Sequence, residues 1–257
     1  NSIKTIAALP GFTEEEIEKI DKTGRFTTDK VLFLSFDDWG SDAAITKLLY
    51  VLSKYNVKAT FFIRTNYVLE NPNLLRAIAH NGHDVASHTN SHMVLANSTD
   101  QLGVYSNLDD KQAGELQDDF IKSYDILQSI IGDFQIDNRP SLQTFMRPPT
   151  LAVSKKGLEA IFDAGASLVI SGDFSTHDYE AKSVLEVVET MKNGIVESKD
   201  KKSLIQNGSI IVMHMSDNAI YTAEALDIVI PYYLSQGYHF ARISDYLGNG
   251  ELISSKE

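Results

Sequence analysis

The chain contains no cysteine, which excludes disulfide bonds, thiolate zinc sites and cysteine nucleophiles. It has no apolar stretch as long as a membrane span, so we expect no transmembrane segment. Positive charge is also scarce, because 23 lysines and arginines stand against 35 acidic residues and leave a net charge of -12. Nucleic acid, whose phosphates this charge would repel, is therefore not an expected partner.

The remaining composition is that of a soluble globular protein, with 43% hydrophobic and 23% charged residues. A length of 257 residues allows one large α/β domain or two small ones. Residues 1–27 are predicted to form an N-terminal extension, in which Thr13 opens a short amphipathic helix that ends at Gly24. Residues 28–257 are predicted to form a single domain, and we expect a monomer.

Short apolar runs alternate with helical patterns from Lys30 onward. Seven runs are predicted to be strands, at residues 31–36, 59–63, 84–87, 144–146, 167–170, 209–213 and 239–243. Three amphipathic helices are indicated by apolar stripes that begin at Ile45, Leu116 and Leu226. Repeated β-α order with mostly short connections predicts parallel strands and right-handed crossovers. We therefore expect an α/β fold, with seven strands favouring a distorted (β/α)7-type barrel over an open sheet.

Polar side chains follow the ends of five of these apolar runs. They are Asp37 and Asp38, His88 and His92, Arg147, Asp173, and His214. Because parallel strands present their carboxyl ends at one edge, where α/β folds place active sites, these groups are expected to converge. The longest irregular stretch, residues 93–107, directly follows the histidine pair. It is predicted either to shape access to the site or to be an unstructured insertion.

Two of these groups together indicate a metal site. His88 and His92 are spaced so that both imidazoles can face one point, as tetrahedral zinc requires, although the spacing alone also fits a solvated pair. Asp37 and Asp38 would repel each other unless a cation or an arginine compensates them. One aspartate can join the histidines as a ligand while the other acts as a base toward water. The alternative is a helix cap that includes Ser41.

Arg147 and His214 are predicted to complete the chemistry. Arg147 precedes two prolines and could pair with the free aspartate, although a surface position is the alternative. His214 ends the most apolar strand and could protonate a leaving group, although a structural core histidine has the same pattern. Either Asp173 or Asp178 could keep this imidazole charged.

Four short motifs resemble carbohydrate esterase family 4, the polysaccharide deacetylases with NodB homology. They are Ser-Phe-Asp-Asp at 35–38, His-Thr-Asn-Ser-His at 88–92, Arg-Pro-Pro at 147–149 and Val-Met-His at 212–214. The resemblance covers roughly residues 30 to 247 and implies a distorted barrel with metal-dependent hydrolysis of acetyl groups on sugars. By position it implies that Asp37 is the base, that Arg147 braces it and that His214 is the acid. It further implies that the metal ligands are Asp38, His88 and His92.

Several positions depart from the pattern of that family. Trp39 is inserted before Gly40, and Thr150 replaces a frequent aromatic residue after the two prolines. The resemblance implies that the Thr150 amide faces the oxyanion. The fourth motif usually ends Asp-Trp, whereas here residues 172–179 run through Asp173 and on to Asp178 and Tyr179. We place Asp173 with the catalytic residues, leaving Asp178 as the alternative, and we assign substrate contacts to Trp39, Pro148, Thr150 and Tyr179.

The predicted function is a metal-dependent hydrolase that removes N- or O-acetyl groups from an acetylated polysaccharide or oligosaccharide, most readily one that contains N-acetylglucosamine. Zinc suits two histidines and one aspartate, and cobalt, nickel or manganese can occupy such a site. Because such polymers lie outside the cell, we expect a secreted or surface protein. The alternatives are a catalytically weak carbohydrate-binding protein of the same fold, or an amidase acting on a non-sugar substrate.

Overall fold

A computed structural model of the chain describes residues 27–99, 104–248 and 251–252. The predicted helix between Thr13 and Gly24 lies outside the described residues, as does all but the last residue of the predicted N-terminal extension. Among the described helices, none is both long and apolar enough to cross a membrane.

The domain alternates strands and helices along the chain. The strands are β1 (Val31–Asp38), β2 (Thr60–Ile63), β3 (Asp84–Ser87), β4 (Asn97–Thr99), β5 (Val104–Ser106), β6 (Gln135–Ile136), β7 (Arg139–Pro140), β8 (Leu142–Met146), β9 (Phe174–Ser175), β10 (Ile195–Ser198), β11 (Lys201–Ser203), β12 (Ile210–His214), β13 (His239–Phe240), β14 (Leu247–Gly248) and β15 (Glu251–Leu252). The helices are α1 (Asp42–Lys54), α2 (Pro72–His80), α3 (Asp110–Ile131), α4 (Lys155–Asp163), α5 (Val184–Asn193) and α6 (Thr222–Ser235).

A parallel sheet forms the centre of the fold, with strand order β8-β3-β2-β1-β12-β9 and with β13 paired to the start of β1. Its two edges are joined by one segment, residues 167–176. The Met146 N–H donates to Leu168 O at 3.0 Å, and the Thr176 N–H donates to Val212 O at 3.1 Å. The segment thus bonds to β8 at one end and to β12 at the other, which confirms the α/β fold and closes the predicted barrel.

Two predicted strands are shorter than expected. Residues 167–170 form only a single bridge, between Val169 and Met146, and the last predicted strand pairs only over His239–Phe240 before a 3₁₀ turn begins at Ile243. The predicted irregular stretch 93–107 instead contains the antiparallel pair β4 and β5. Apolar periodicity missed this pair because strands of three residues are too short to show a clear alternation.

The three predicted helical stripes are buried as expected. Ile45, Leu116 and Leu226 are each fully buried on α1, α3 and α6. The helices pack against alternate residues of the strands, while the other residues face the barrel interior. On β1 the outer set includes Leu32 and Phe36. The inner set begins with Val31 and Phe33. This alternation of side chains along a strand carries Asp37 toward the interior at the carboxyl end.

Candidate active site

The carboxyl ends of β1, β3, β8 and β12 bring the predicted polar residues together. Asp37 is the register neighbour of His214 across β1 and β12. His88 and Arg147 directly follow β3 and β8, and they are in contact because the His88 side-chain Nδ1 lies 2.8 Å from the backbone carbonyl oxygen of Arg147. The expected convergence at one edge of the sheet is therefore present for these four residues.

Asp38, His88 and His92 form a cluster of three potential metal ligands, with all ligand atoms within 4.8 Å of one another. The Nε2 atoms of His92 and His88 lie 3.5 Å and 3.8 Å from Asp38 Oδ1. Ligands about 2.1 Å from a tetrahedral zinc ion would stand about 3.4 Å apart, so these distances fit such an ion. Burial and the neighbouring His88 lower the pKa of His92 despite the opposing effect of Asp38. A neutral imidazole is the form that binds metal.

His88 is oriented by a partner on its far nitrogen. The carbonyl of Arg147 can only accept, so Nδ1 of His88 donates this hydrogen bond and Nε2 is free to face Asp38. This is the arrangement by which metal-binding histidines are usually fixed. The side chain is almost completely buried.

The backbone is strained at several positions around the cluster. Asp38, His92 and Thr150 have φ values of 81°, 61° and 61°, in the left-handed region that favours glycine. Such conformations cost about 1–3 kcal/mol each and collect at functional sites, where the surrounding structure holds them. For Asp38 this conformation interrupts the regular alternation of side chains along β1. As a result, Asp37 pairs with Arg147, whereas Asp38 faces His88 and His92.

Asp37 is paired with a fully buried arginine. Arg147 Nη1 donates to Asp37 Oδ1 at 2.9 Å and to Ser35 Oγ at 2.7 Å, while Nη2 donates to Ser171 O at 2.9 Å. The guanidinium also stacks 4.1 Å from the centre of the Phe62 ring. Burial alone would raise the pKa of Asp37, but the positive charges led by Arg147 outweigh it and lower that pKa. Asp37 is therefore held as a carboxylate.

His214 is paired with a buried aspartate. Its Nδ1 lies 2.8 Å from Asp178 Oδ1, and its backbone N–H donates to Asp178 Oδ2 at 2.9 Å. Thr222 on α6 donates a third hydrogen bond to the same carboxylate at 2.7 Å. Burial favours the neutral ring, but the hydrogen bond and charge of Asp178 prevail and raise the pKa of His214 to about 9. The ring is consequently an imidazolium at neutral pH.

The placement of Asp173 beside His214 is wrong, and the carboxylate in contact is Asp178. The Asp173 N–H donates to Ile210 O at 2.9 Å, which is four residues before His214 on β12. At about 3.3 Å per residue this separates Asp173 from the catalytic edge by about 13 Å. Asp173 and Asp178 are both followed by an aromatic residue, Phe174 and Tyr179, so the Asp-Trp pattern of the resembling family could not separate them.

The four predicted substrate contacts occupy different environments. Tyr179 is 45% exposed, and its ring centre lies 4.9 Å from that of His214. Trp39 lines a cleft of about 480 Å³ that Arg64 and Tyr67 also line, and the sequence did not point to the last two. Thr150 is exposed, whereas Pro148 is buried. Pro148 therefore belongs to the turn that carries its neighbours and offers a substrate no open surface, contrary to its prediction.

Comparisons with known proteins agree with the resemblance seen in the motifs. The family model for polysaccharide deacetylase matches residues 24–169, more than half of the chain. A peptidoglycan-N-acetylglucosamine deacetylase from Listeria monocytogenes is 28% identical over 230 residues, which are 90% of this chain but only 41% of that protein.

Solved structures share the fold. The Bc1960 peptidoglycan N-acetylglucosamine deacetylase has a TM-score of 0.70 at 22% identity, over 91% of this chain and 95% of that one. BA3943 from Bacillus anthracis, described as a pseudoenzyme, has a TM-score of 0.65 at 20% identity, over 84% of this chain and 65% of that one. At these identities the two likenesses concern the fold alone.

Proposed function

The chain belongs to the polysaccharide deacetylase family, carbohydrate esterase family 4, and we propose that it is a metal-dependent hydrolase that removes acetyl groups from a carbohydrate polymer. The observation that carries the proposal is the presence of two ion pairs, Asp37 with Arg147 and His214 with Asp178, beside one cluster of potential metal ligands. Asp37 is held as a carboxylate by Arg147, and His214 is held as an imidazolium by Asp178. A general base and a general acid are what hydrolysis of an amide or ester requires.

Asp38, His88 and His92 would hold the metal, and zinc is the ion we propose, since two imidazoles and a carboxylate leave a tetrahedral site open at one position. The chemistry that such an ion supplies is polarisation of the acetyl carbonyl and activation of water. Cobalt, nickel or manganese would fit the same ligands. The distances of 3.8 Å and 3.5 Å from Asp38 Oδ1 to the two imidazole nitrogens support a metal site at this cluster.

Asp37 accepts a proton from the attacking water as the new carbon–oxygen bond forms. Its Oδ2 lies 4.0 Å from His88 Nε2, and this short distance supports a base next to the proposed metal ligands. Arg147 occupies its other oxygen, which orients the carboxylate and keeps it ionised. The Thr150 amide, which follows the rigid Pro148–Pro149 turn, is proposed to donate to the developing oxyanion.

His214 donates its Nε2 proton to the departing nitrogen or oxygen of the sugar as the bond to the acetyl carbon breaks. Its Nδ1 is engaged by Asp178, so Nε2 is the nitrogen left to serve the substrate. The half-exposed Tyr179 ring next to His214 is proposed as one wall of the sugar site. The products are acetate and a free amine or hydroxyl group.

An N-acetylglucosamine polymer of the cell wall is the substrate we propose, and this places the protein outside the cell or on its surface. The support is the stated activity of the Listeria relative, to which this chain is similar over part of that protein's length. We also propose that the protein acts as a monomer.

The proposal is tested by measuring acetate release by the zinc-loaded protein from four substrates. They are N-acetylglucosamine oligomers, peptidoglycan, acetylxylan and a non-sugar acetamide. Asp37→Asn should retain zinc and lose nearly all turnover, because its amide cannot accept the proton of water. Asp163→Asn, at the exposed end of α4, is the matched control and should remain active. Glycan binding without acetate release would instead identify a binding protein, and release from the acetamide alone would identify an amidase.

A further inference from the structure

Asp119 on α3 accepts hydrogen bonds from the loop that carries the two proposed histidine ligands. Its Oδ2 accepts the backbone N–H groups of Asn90 and Ser91 at 2.8 Å and 3.1 Å, and its Oδ1 accepts the Ser91 hydroxyl at 2.7 Å. The Asp119 carboxylate therefore accepts three hydrogen bonds from two successive loop residues, although it lies 28 residues after Ser91 in the chain. Bonds to a charged acceptor of this kind are shorter and stronger than neutral ones.

The loop needs such a restraint because its backbone is strained. Thr89 and His92 have φ values of 62° and 61°, and a β-branched threonine is especially unfavourable in this region. Residues 89 and 90 are also bonded to the chain after β2, through Thr65 and Asn66. Among the described residues, Ser91 has Asp119 as its only hydrogen-bond partner. Of the described loop residues that precede His92, Ser91 is therefore the one that depends on α3 alone.

The two histidines differ in how their rings are held. His88 is buried and donates from Nδ1 to Arg147 O. The His92 side chain is 33% exposed, and no hydrogen bond to its ring is found among the described residues. The His92 ring packs edge-to-face against His88, with the ring centres 5.1 Å apart. The His92 backbone is held on one side by Ser91, through Asp119, and on the other by Met93, whose N–H donates to Thr89 Oγ1 at 2.8 Å.

We propose that Asp119 is the positioning residue for His92, and that it raises the affinity of the Asp38, His88 and His92 cluster for a divalent metal. The inference rests on the metal site of the proposed function. Asp119 is not itself one of the proposed ligands. It holds Asn90 and Ser91 so that the strained His92 conformation is already formed when the ion arrives. Partners of metal ligands typically contribute a factor of about 10–100 to affinity.

Zinc affinity, measured by competition with a chromophoric chelator, is the test, together with the visible spectrum of the Co²⁺-substituted protein. Asp119→Ala should weaken zinc binding by about 10-fold or more. Asp119→Asn should largely restore it, because the amide oxygen can accept the same two backbone N–H groups. Asp118→Ala, the exposed neighbour on α3, is the control and should bind zinc like the wild type. The melting temperature of each metal-free protein reports whether a variant is merely unfolded.

Ser91→Ala keeps the proposal testable if Asp119→Ala does not fold. It removes one of the three bonds, so a smaller loss of zinc affinity is expected, and the Co²⁺ spectrum should shift in the same direction as in Asp119→Ala. Unchanged zinc affinity in Asp119→Ala, or an equal loss in Asp118→Ala, would overturn the positioning role while leaving the metal site intact. If the wild type binds no zinc and His88→Ala is indistinguishable from it, both the metal site and the positioning role fail.

Discussion

Replacing Asp178 by asparagine should remove the charge that keeps His214 protonated. In the present structure the pKa of the His214 imidazole is raised from 6.5 to about 9. This corresponds to a difference of about 3 kcal/mol in favour of the imidazolium. Because the folded-state pKa is raised, this contribution to stability is fully present below pH 6.5 and is lost as the pH rises through about 9. In Asp178→Asn, burial favours the neutral ring and the remaining acidic groups only partly oppose it.

The expected size of the effect follows from the protonated fraction. If the pKa of His214 only returns to its ordinary 6.5, the protonated fraction at pH 7.5 falls from nearly all to about a tenth. We therefore expect activity at pH 7.5 to fall by about 10-fold or more, with a further loss from the freed ring orientation.

NMR titration of His214 in the metal-free protein measures the pKa directly, since a bound cation would add a repulsive charge. The basic limb of the kcat/KM pH profile in the zinc-loaded protein should be displaced in the same direction, to lower pH. Thr222→Val removes one hydrogen bond to Asp178 but leaves its charge in place, so the pKa of His214 should move far less than in Asp178→Asn. A basic limb and a His214 titration that stay at the wild-type pH in Asp178→Asn would refute the reasoning.

Two further predictions concern buried ionisable groups. Arg147→Met leaves the buried Asp37 carboxylate unpaired, so we expect the free energy of unfolding in urea to drop by about 3–5 kcal/mol, with the pKa of Asp37 raised. An unchanged urea midpoint would contradict this. His83 accepts the Ala59 N–H through Nδ1 at 3.0 Å, and burial, then nearby positive charges, lower its pKa to about 3. The unfolded chain binds the proton first, so stability should fall as the pH drops from 6.5 toward 3. His83→Gln should flatten that dependence in pH-resolved unfolding curves, and equal slopes in both proteins would count against it.

Much of the candidate site could be predicted from the order of residues along the chain. Apolar runs of strand length located the carboxyl ends of β1, β3, β8 and β12, and parallel pairing requires those ends to meet. The adjacent Asp37 and Asp38 and the spaced His88 and His92 could then be expected at one edge. These inferences depend on local hydrophobicity and strand direction, which a single sequence shows well.

Partners that come from distant segments could not be predicted in this way. Asp173 and Asp178 are five residues apart on the same irregular segment, and only the register of that segment against β12 decides that Asp178 reaches His214. Asp119 lies among other acidic residues of α3 and shows no sequence signal of its contact with Ser91.

The sequence by itself determined the strand and helix alternation, the edge of the sheet at which the polar residues gather and the family to which they point. Only the tertiary structure decided which carboxylate charges His214, that residues 167–176 join the two edges of the sheet, and that α3 supports the histidine loop. The physical reason is that hydrophobic periodicity records which face of an element is buried. A hydrogen bond over a few ångströms between remote segments depends instead on their register and relative placement, which the packing of the whole domain sets.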